Sequence, residues 1–357
     1  MEELKTKPAE TVNEAPAAPA EEPITYPALL TVAPSPHQKT RTHVPHMMFD
    51  VLIALLPAYV FGVLWFGLSA LVIGIVSVLG CVLAELVFEK IMRRPVTVKD
   101  GSAAVTGLLI AMNVPATMVN LANPDPIAIL QGVFMILLAD IFAMVVVKGL
   151  FGGLGKNIVN PALAARVFLF MSFPAAMSAY ACPAGWMGAD AATGATPLSE
   201  LKESGALANL DLFDMFIGKT GGCIGEVSAV LLLLGGIYLI ARRVISWRIP
   251  VAYLGTVALI ALIFPRIGGI EAVPFELLSG GLMLGAFFMA TDYVTSPVTP
   301  VGRLVFGVLC GLLTVFIRYF GAYPEGVSFA ILISNLLVYY IDRFTKPTPF
   351  GGGKKKA

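Results

Sequence analysis

The sequence has little charge and few metal-binding side chains. Of its 357 residues only 13% are charged while 57% are hydrophobic, and the mean hydropathy is +0.83. A soluble domain carries about 25% charged residues, so this apolar content exceeds what one soluble core absorbs, and the chain reads as an integral membrane protein. Cys81, Cys182, Cys223 and Cys310 form no CxxC pair, and none of the three histidines stands at metal-ligand spacing. That argues against a zinc or iron–sulfur site built by this chain alone. Cys81, Cys223 and Cys310 lie in or beside apolar runs, where cysteine serves as a small hydrophobe. With a net charge of +1 and its Lys and Arg in short clusters, the chain offers no basic face, and nucleic acid is excluded as an expected partner. The first 35 residues, among them EELKTKPAETVNEAPAAPAEEP, hold few large apolar groups and are expected to form a disordered tail. No basic stretch there runs directly into an apolar one, so the first apolar span, not a cleaved signal, is expected to insert the chain.

What is abundant is the apolar run. A hydrocarbon core of about 30 Å calls for about 20 helical residues. Runs at 49–68, 70–89, 127–147, 160–180, 224–241, 249–265, 302–320 and 326–342 approach or exceed this length. Two more are interrupted: 102–118 by Asn113 and Pro115, and 274–297 by Gly280, Gly281 and Gly285. The ten divide as five plus five, with the interrupted runs third in each half. Because five is odd, the second half must enter from the opposite side, which is the inverted-repeat plan in which broken helices meet around a site. The expectation is an all-α polytopic protein: a tail at 1–35, one repeat at 36–180, a polar loop at 181–222, a second repeat at 223–345, and a basic tail at 346–357. With the N-terminus inside, basic residues from Lys39 to Lys356, Lys148 and Arg166 among them, crowd the inner side. Only Lys202, Lys219, Arg266 and Arg318 fall outside. That bias puts both termini in the cytoplasm and the 181–222 loop outside it.

Several residues within this frame are candidates for chemistry. Asp140 lies mid-span, and Asp292 follows the second interrupted run beside Thr291, Thr295 and Ser296. Both are ion-coupling candidates, although a helix-ending hydrogen bond also explains Asp292. Glu226 is acidic beside a span as well, whereas Glu85 and Asp342 fall near inner ends, where solvation is expected. Asn157 and Asn160 precede Pro161 at the mouth of the fifth span. They either cap that helix or offer donor and acceptor together to the edge of a heterocycle. In the loop, DAATGATPL (190–198) surrounds Thr196 with the small residues Gly194 and Ala195. On composition alone this is an ordinary loop.

The segment Asp190 to Thr196 resembles the Asp-x-x-Ser/Thr-Gly-Ala-Thr motif in which a flavin transferase esterifies FMN to the last threonine; Ala191 stands where relatives often have Gly. SPHQKTRTHVPHMMFDVLIALLPA (35–58), VKDGSAAVTGLLIAMNVP (98–115), FGGLGKNIVNPALAARVF (151–168), FFMATDYVTSPVTPVGR (287–303) and AYPEGVSFAILISN (322–335) resemble the D-subunit family of the Rnf ferredoxin:NAD+ oxidoreductase, which moves Na+ or H+. The resemblance runs from about residue 35 to 345. It implies a urea-transporter-like fold, a bacterial cytoplasmic membrane, and covalent FMN on Thr196 with Asp190, Thr193, Gly194 and Ala195 as recognition residues. It further implies a noncovalent riboflavin near Asn157 and Asn160. The implied partners are a second covalent-FMN subunit, iron–sulfur membrane subunits, soluble ferredoxin- and NAD-facing subunits, and the transferase during maturation. The rivals are the B subunit of a Na+-translocating NADH:quinone reductase and a flavin-free solute channel of the same fold.

Overall fold

The computed structural model describes residues 43–121, 125–180, 194–204, 212–218, 220–226, 228–268, 271–321 and 323–347. Asp190 and Thr193 therefore lie outside the described residues, as do the N-terminal tail and residues 348–357. Among the described residues the chain is helical, with no β-strand.

Helix α1 (Val44–Phe66) and helix α2 (Leu68–Ile91) are joined at Gly67, whose φ of 75° supplies the sharp turn between them. Helix α3 (Ser102–Met112) rises only about 16 Å, half a bilayer, before it stops at Asn113. Pro115 lacks an N–H and disfavours helix at Val114, and the freed Val114 carbonyl accepts the Ile224 N–H at 3.2 Å. Helix α4 (Pro126–Ile141) continues as a π-helix over Phe142–Gly149. Helices α5 (Pro161–Ser172) and α6 (Pro174–Ser178) follow, so the expected 160–180 run is cut at Pro174.

Two short helices, α7 (Pro197–Ser204) and α8 (Leu212–Ile217), precede α9 (Ala229–Ala241) and α10 (Arg248–Ile263). Helix α11 (Ala272–Leu278) and helix α12 (Leu282–Leu284), which runs on as a π-helix over Gly285–Met289, form one apolar segment bent by 66°. The bend falls at Ser279–Gly281, where Gly280 takes a φ of 62°. Helices α13 (Pro300–Phe320) and α14 (Val327–Thr345) complete the chain.

Among the described residues, five helices are long and apolar enough to cross a membrane, six with the bent pair counted as one; the shorter apolar helices there are α3, α5, α9 and α10. The chain is thus polytopic, and its helices pack α2 on α3 and α4, α10 on α13, α1 on α9, and α5 on α14. Close approach is carried by small residues: a Cβ at Gly307 would sit 2.8 Å from the Ile249 carbonyl, so only glycine admits α10 there. Exposed leucines, valines and phenylalanines such as Leu79, Leu83, Phe134 and Phe316 lie on the outer faces, as lipid contact requires.

Both breaks are held by buried polar groups: Arg166 donates to Asn113 at the end of α3, and Arg318 holds the second bend. Arg318, fully enclosed on α13, donates from Nη1 to the Glu276 carbonyl (2.7 Å) and carboxylate (2.9 Å), and from Nη2 to the Ser279 carbonyl (2.8 Å). It thereby satisfies backbone that the bend exposes, which is the condition for irregular chain at membrane depth.

Candidate functional site

Two regions collect the candidate residues. The first is a cavity lined by Asn157, Asn160, Asp292, Lys148 and the apolar walls Leu109, Phe287 and Phe288. Both π-helices reach it, one with Lys148 and the other with the two phenylalanines, and π segments of this kind recur at functional sites. Its volume is about 90 Å³, below the roughly 300–1,000 Å³ of ordinary ligand pockets. A ring system can enter only with the phenylalanine wall displaced or by using the open mouth. The lining otherwise fits a flat amphipathic ligand, with apolar faces and polar groups at the rim.

Asn160 caps α5: its Oδ1 accepts the amides of Ala162 (3.0 Å) and Leu163 (3.4 Å), and its Nδ2 donates to the Met289 carbonyl at 3.2 Å. The capping alternative therefore holds for Asn160. Its amide also ties the fifth helix to the second π segment. Asn157 keeps more freedom, since its Nδ2 reaches only the Val159 carbonyl, at 3.2 Å. Asp292 is partly buried at the cavity edge and accepts from Thr295 Oγ1 at 3.1 Å.

Lys148 and Glu85 form a buried pair at 2.5 Å, and Lys148 also donates to Ser102 Oγ at 2.6 Å. Glu85 is thus not solvated as its position near a span end suggests, because the fourth span brings an amine to it. A second cavity lined by Glu85, Glu89, Arg94 and Thr97 meets the first at Lys148. Asp140 is wholly enclosed; one oxygen accepts from Ser77 Oγ at 2.7 Å and Cys81 Sγ at 3.4 Å, and the other has no partner. It stands apart from the cavity formed by the asparagines.

The second region is the start of α7. Thr196 is 3% exposed, and its Oγ1 accepts the Ser199 amide at 3.2 Å and lies 3.1 Å from Ser199 Oγ. It is the N-cap of α7, with Pro197 in the first turn, and Gly194 is anchored through its N–H to the Tyr180 carbonyl at 3.0 Å. Ala195 is exposed. A phosphoryl group on Thr196 would sit at a helix N-terminus, where amides and the helix dipole favour negative charge. Because Thr196 Oγ1 is the acceptor of that cap bond, esterification removes only its O–H, and the phosphoryl oxygens add further acceptors beside the Ser199 amide. Leu198 and Leu201 seat the helix on Met215 and Phe275 beside the Gly280 bend.

A third grouping was not visible in the spacing of the sequence. Arg166 on α5 donates to Asn113 Oδ1 at 2.8 Å, Glu226 at 3.2 Å, and Glu325. Cys223 joins them, with its sulfur 3.6 Å from Arg166 Nη2. Only the hydrophobic setting of Arg166 and Glu226 hinted at it, since charges at membrane depth seek partners.

The chain matches the family described as NQR2, RnfD, RnfE over residues 31–351. It is 44% identical over 332 residues (92% of this chain and 97% of the relative) to the D subunit of the Na+-translocating ferredoxin:NAD+ oxidoreductase complex of Acetobacterium woodii. It is 40% identical over 333 residues (90% and 96%) to the D subunit of the proton-translocating ferredoxin:NAD+ oxidoreductase complex of Clostridium ljungdahlii. The D subunit of the ion-translocating oxidoreductase complex of Escherichia fergusonii is 34% identical over 362 residues (90% and 99%).

Proposed function

The chain belongs to the NQR2, RnfD, RnfE family, and from that premise we propose that it is the D subunit of an ion-translocating ferredoxin:NAD+ oxidoreductase, passing electrons within the membrane through an FMN esterified to Thr196 and a riboflavin beside Asn157. The observation that carries the reading is similarity over nearly the whole length to D subunits of such complexes, at 44% and 40% identity. The helix N-terminus at Thr196 adds a position suited to an ester-linked phosphoryl group.

The division of labour is simple. A bound isoalloxazine supplies the electron chemistry, and the chain supplies tether, walls and charge. Thr196 provides the oxygen for attachment, with Asp190, Thr193, Gly194 and Ala195 recognised by the transferase. Phe287 and Phe288 would wall the ring and Asn157 would meet its polar edge, while Lys148, paired with Glu85, would supply a polar corner. Asp140 and Asp292 are the acids proposed for ion coupling. Partners are the other subunits of the complex: a second FMN-bearing subunit, iron–sulfur membrane subunits, and soluble subunits facing ferredoxin and NAD.

We read the ten apolar segments as two inverted five-helix repeats, 36–180 and 223–345. Two correspondences support this: α2 packs on α4 as α10 packs on α13, and Lys148 on the fourth segment binds Ser102 in the third, as Arg318 binds Glu276 and Ser279. Basic residues that remain exposed, Arg242, Arg243, Lys90 and Arg93 among them, support cytoplasmic termini. The 181–222 segment and α7 then lie outside, in a bacterial cytoplasmic membrane.

Acid extraction of the purified complex tests the second flavin. Riboflavin is expected in the supernatant at about one per chain, and Asn157→Leu should weaken its binding at least about tenfold, the equivalent of 1.4 kcal/mol, and lower the amount extracted. Full retention of riboflavin in that variant would remove Asn157 from the site. A flavin-free solute channel predicts no extractable flavin at all. The names of the relatives differ in the ion moved; Na+ uptake by inverted vesicles that survives a protonophore would assign Na+, and its abolition H+.

A further inference from the structure

Two carboxylates and one guanidinium meet where the two broken segments approach each other. Arg166 binds Asn113, which ends α3, and a Cβ at Gly281, in the second bend, would lie 2.9 Å from Glu226 Oε1 and 3.3 Å from Arg166 Nη1. The side chains of Arg166, Glu226 and Glu325 are 8%, 4% and 12% exposed. Ligand atoms of Cys223, Glu226 and Glu325 all lie within 4.8 Å of one another. Glu226 and Glu325 each spend one oxygen on Arg166, and the second oxygen of Glu226 accepts the Cys223 amide at 3.4 Å. The remaining oxygen, Glu325 Oε1, is buried with no hydrogen-bond partner. An ionised carboxylate only accepts, so this oxygen is orphaned in that state; a protonated one becomes a donor, and Glu226 stands within the cluster to accept. Two negative charges facing one positive charge in a poorly solvated place also favour neutralising one of them.

We propose that Glu226 and Glu325 share one exchangeable proton over Arg166, making this cluster a proton-binding site between the two broken segments. A cleft of about 20 Å³ lined by Arg166, Glu325 and Ser328 adjoins the pair, enough for a single water to carry the proton in or out. The charged and titratable groups that face Glu325 are Glu226 and Cys223 from the Ile224–Glu226 turn and its approach, Arg166 from α5, Tyr180 from the end of the α6 loop, and Arg318 from α13. Arg318 is already engaged by the Glu276 carboxylate and two backbone carbonyls, which leaves Arg166 as the working cation. Burial, then the Glu226 charge, pushes the Glu325 carboxyl up to about 7, so the proton exchanges near neutral pH. Na+ is a poorer occupant, because it wants several oxygens and the cluster offers a thiol and a guanidinium instead.

The site lies under the attachment helix, since Leu198 Cδ1 and Glu325 Cγ both flank Gly280, at 3.0 and 3.7 Å from its Cβ position. A proton binding there changes the charge beneath α7 by one unit; that consequence, unlike the site itself, rests on the reading of Thr196.

Infrared difference spectra of the purified full-length protein, stepped between about pH 5 and pH 9, read the proton directly without any flavin. A carboxylic-acid carbonyl band is expected to disappear with a midpoint near 7. Carboxyl-13C glutamate in the unsubstituted protein should downshift it, which aspartates such as Asp140 or Asp292 would not do, and this arm alters no contact in the fold. Glu325→Gln should abolish the band. Glu226→Gln, which leaves one carboxylate against Arg166, should move the midpoint down by at least about one unit. A titrating band insensitive to the isotope or to Glu325→Gln overturns the proposal, as does a midpoint unmoved in Glu226→Gln. A midpoint that shifts when Na+ replaces choline at constant ionic strength overturns it too, in favour of a Na+ site.

Discussion

Thr196→Ala is expected to lack the flavin fluorescence that, on the proposed attachment, the denatured chain should show near 37.8 kDa under ultraviolet light, while Thr193→Ala should retain it. An ester cannot form without the hydroxyl, so the loss should be complete. Because Thr196 also caps α7, the substitution costs about 1 kcal/mol of local stability as well, too little to remove the protein from the membrane. Thr196→Asp separates the two roles: aspartate caps a helix as well as threonine does but offers no hydroxyl, so the helix stays and the fluorescence goes. Ferredoxin-dependent NAD+ reduction by the complex should fall with the flavin in both variants. A Thr196→Ala chain that still fluoresces after denaturation would place the attachment elsewhere.

Arg318→Met is expected to give the largest loss of folded protein. The substitution leaves the Glu276 carboxylate with only Arg266, at 3.7 Å, and strips donors from the Glu276 and Ser279 carbonyls at the bend. Breaking one side of a buried pair costs about 3–5 kcal/mol, a large share of the roughly 5–15 kcal/mol that holds a typical domain together. Size-exclusion recovery and thermal unfolding in detergent should both show it. Arg318→Met combined with Glu276→Gln is expected to recover part of the loss, because the orphaned charge goes while the bare carbonyls remain. A single variant as stable as the parent would mean that the bend is held by something other than Arg318.

Six of the ten expected runs, counting the bent pair, form segments long enough to cross among the described residues, because a bilayer imposes length and leaves no alternative to intrahelical hydrogen bonds; the runs at 102–118, 160–180, 224–241 and 249–265 hold the shorter helices α3, α5, α9 and α10. Pro115 and Gly280–Gly281 announced the breaks for the same reason: the one cannot donate, and the other tolerates a left-handed turn. What the sequence concealed was pairing. Lys148, Arg166 and Arg318 read as charges that orient the chain, yet all three are buried against carboxylates, with Arg318 42 positions from Glu276 and Arg166 159 from Glu325. No local pattern carries that information, because each partner is chosen by packing between distant helices.

The candidate sites divided in the same way. Asn160 and Thr196 stand at helix starts, a role their residue types advertise, and each caps its helix. The convergence of Asn157, Asn160, Asp292, Lys148, Phe287 and Phe288 on one cavity was half visible, in the two asparagines and the aspartate. The aromatic wall was not, because phenylalanine in an apolar run looks like any other core residue.

Mass analysis of the proteolytic peptide spanning residues 190–204, taken from the complex purified out of cells that express the flavin transferase, probes the assignment at its root. Thr196 is expected to carry the mass of FMN less one water, with the fragment ions locating it on that residue alone. An unmodified Thr196 in an otherwise active complex would contradict the attachment.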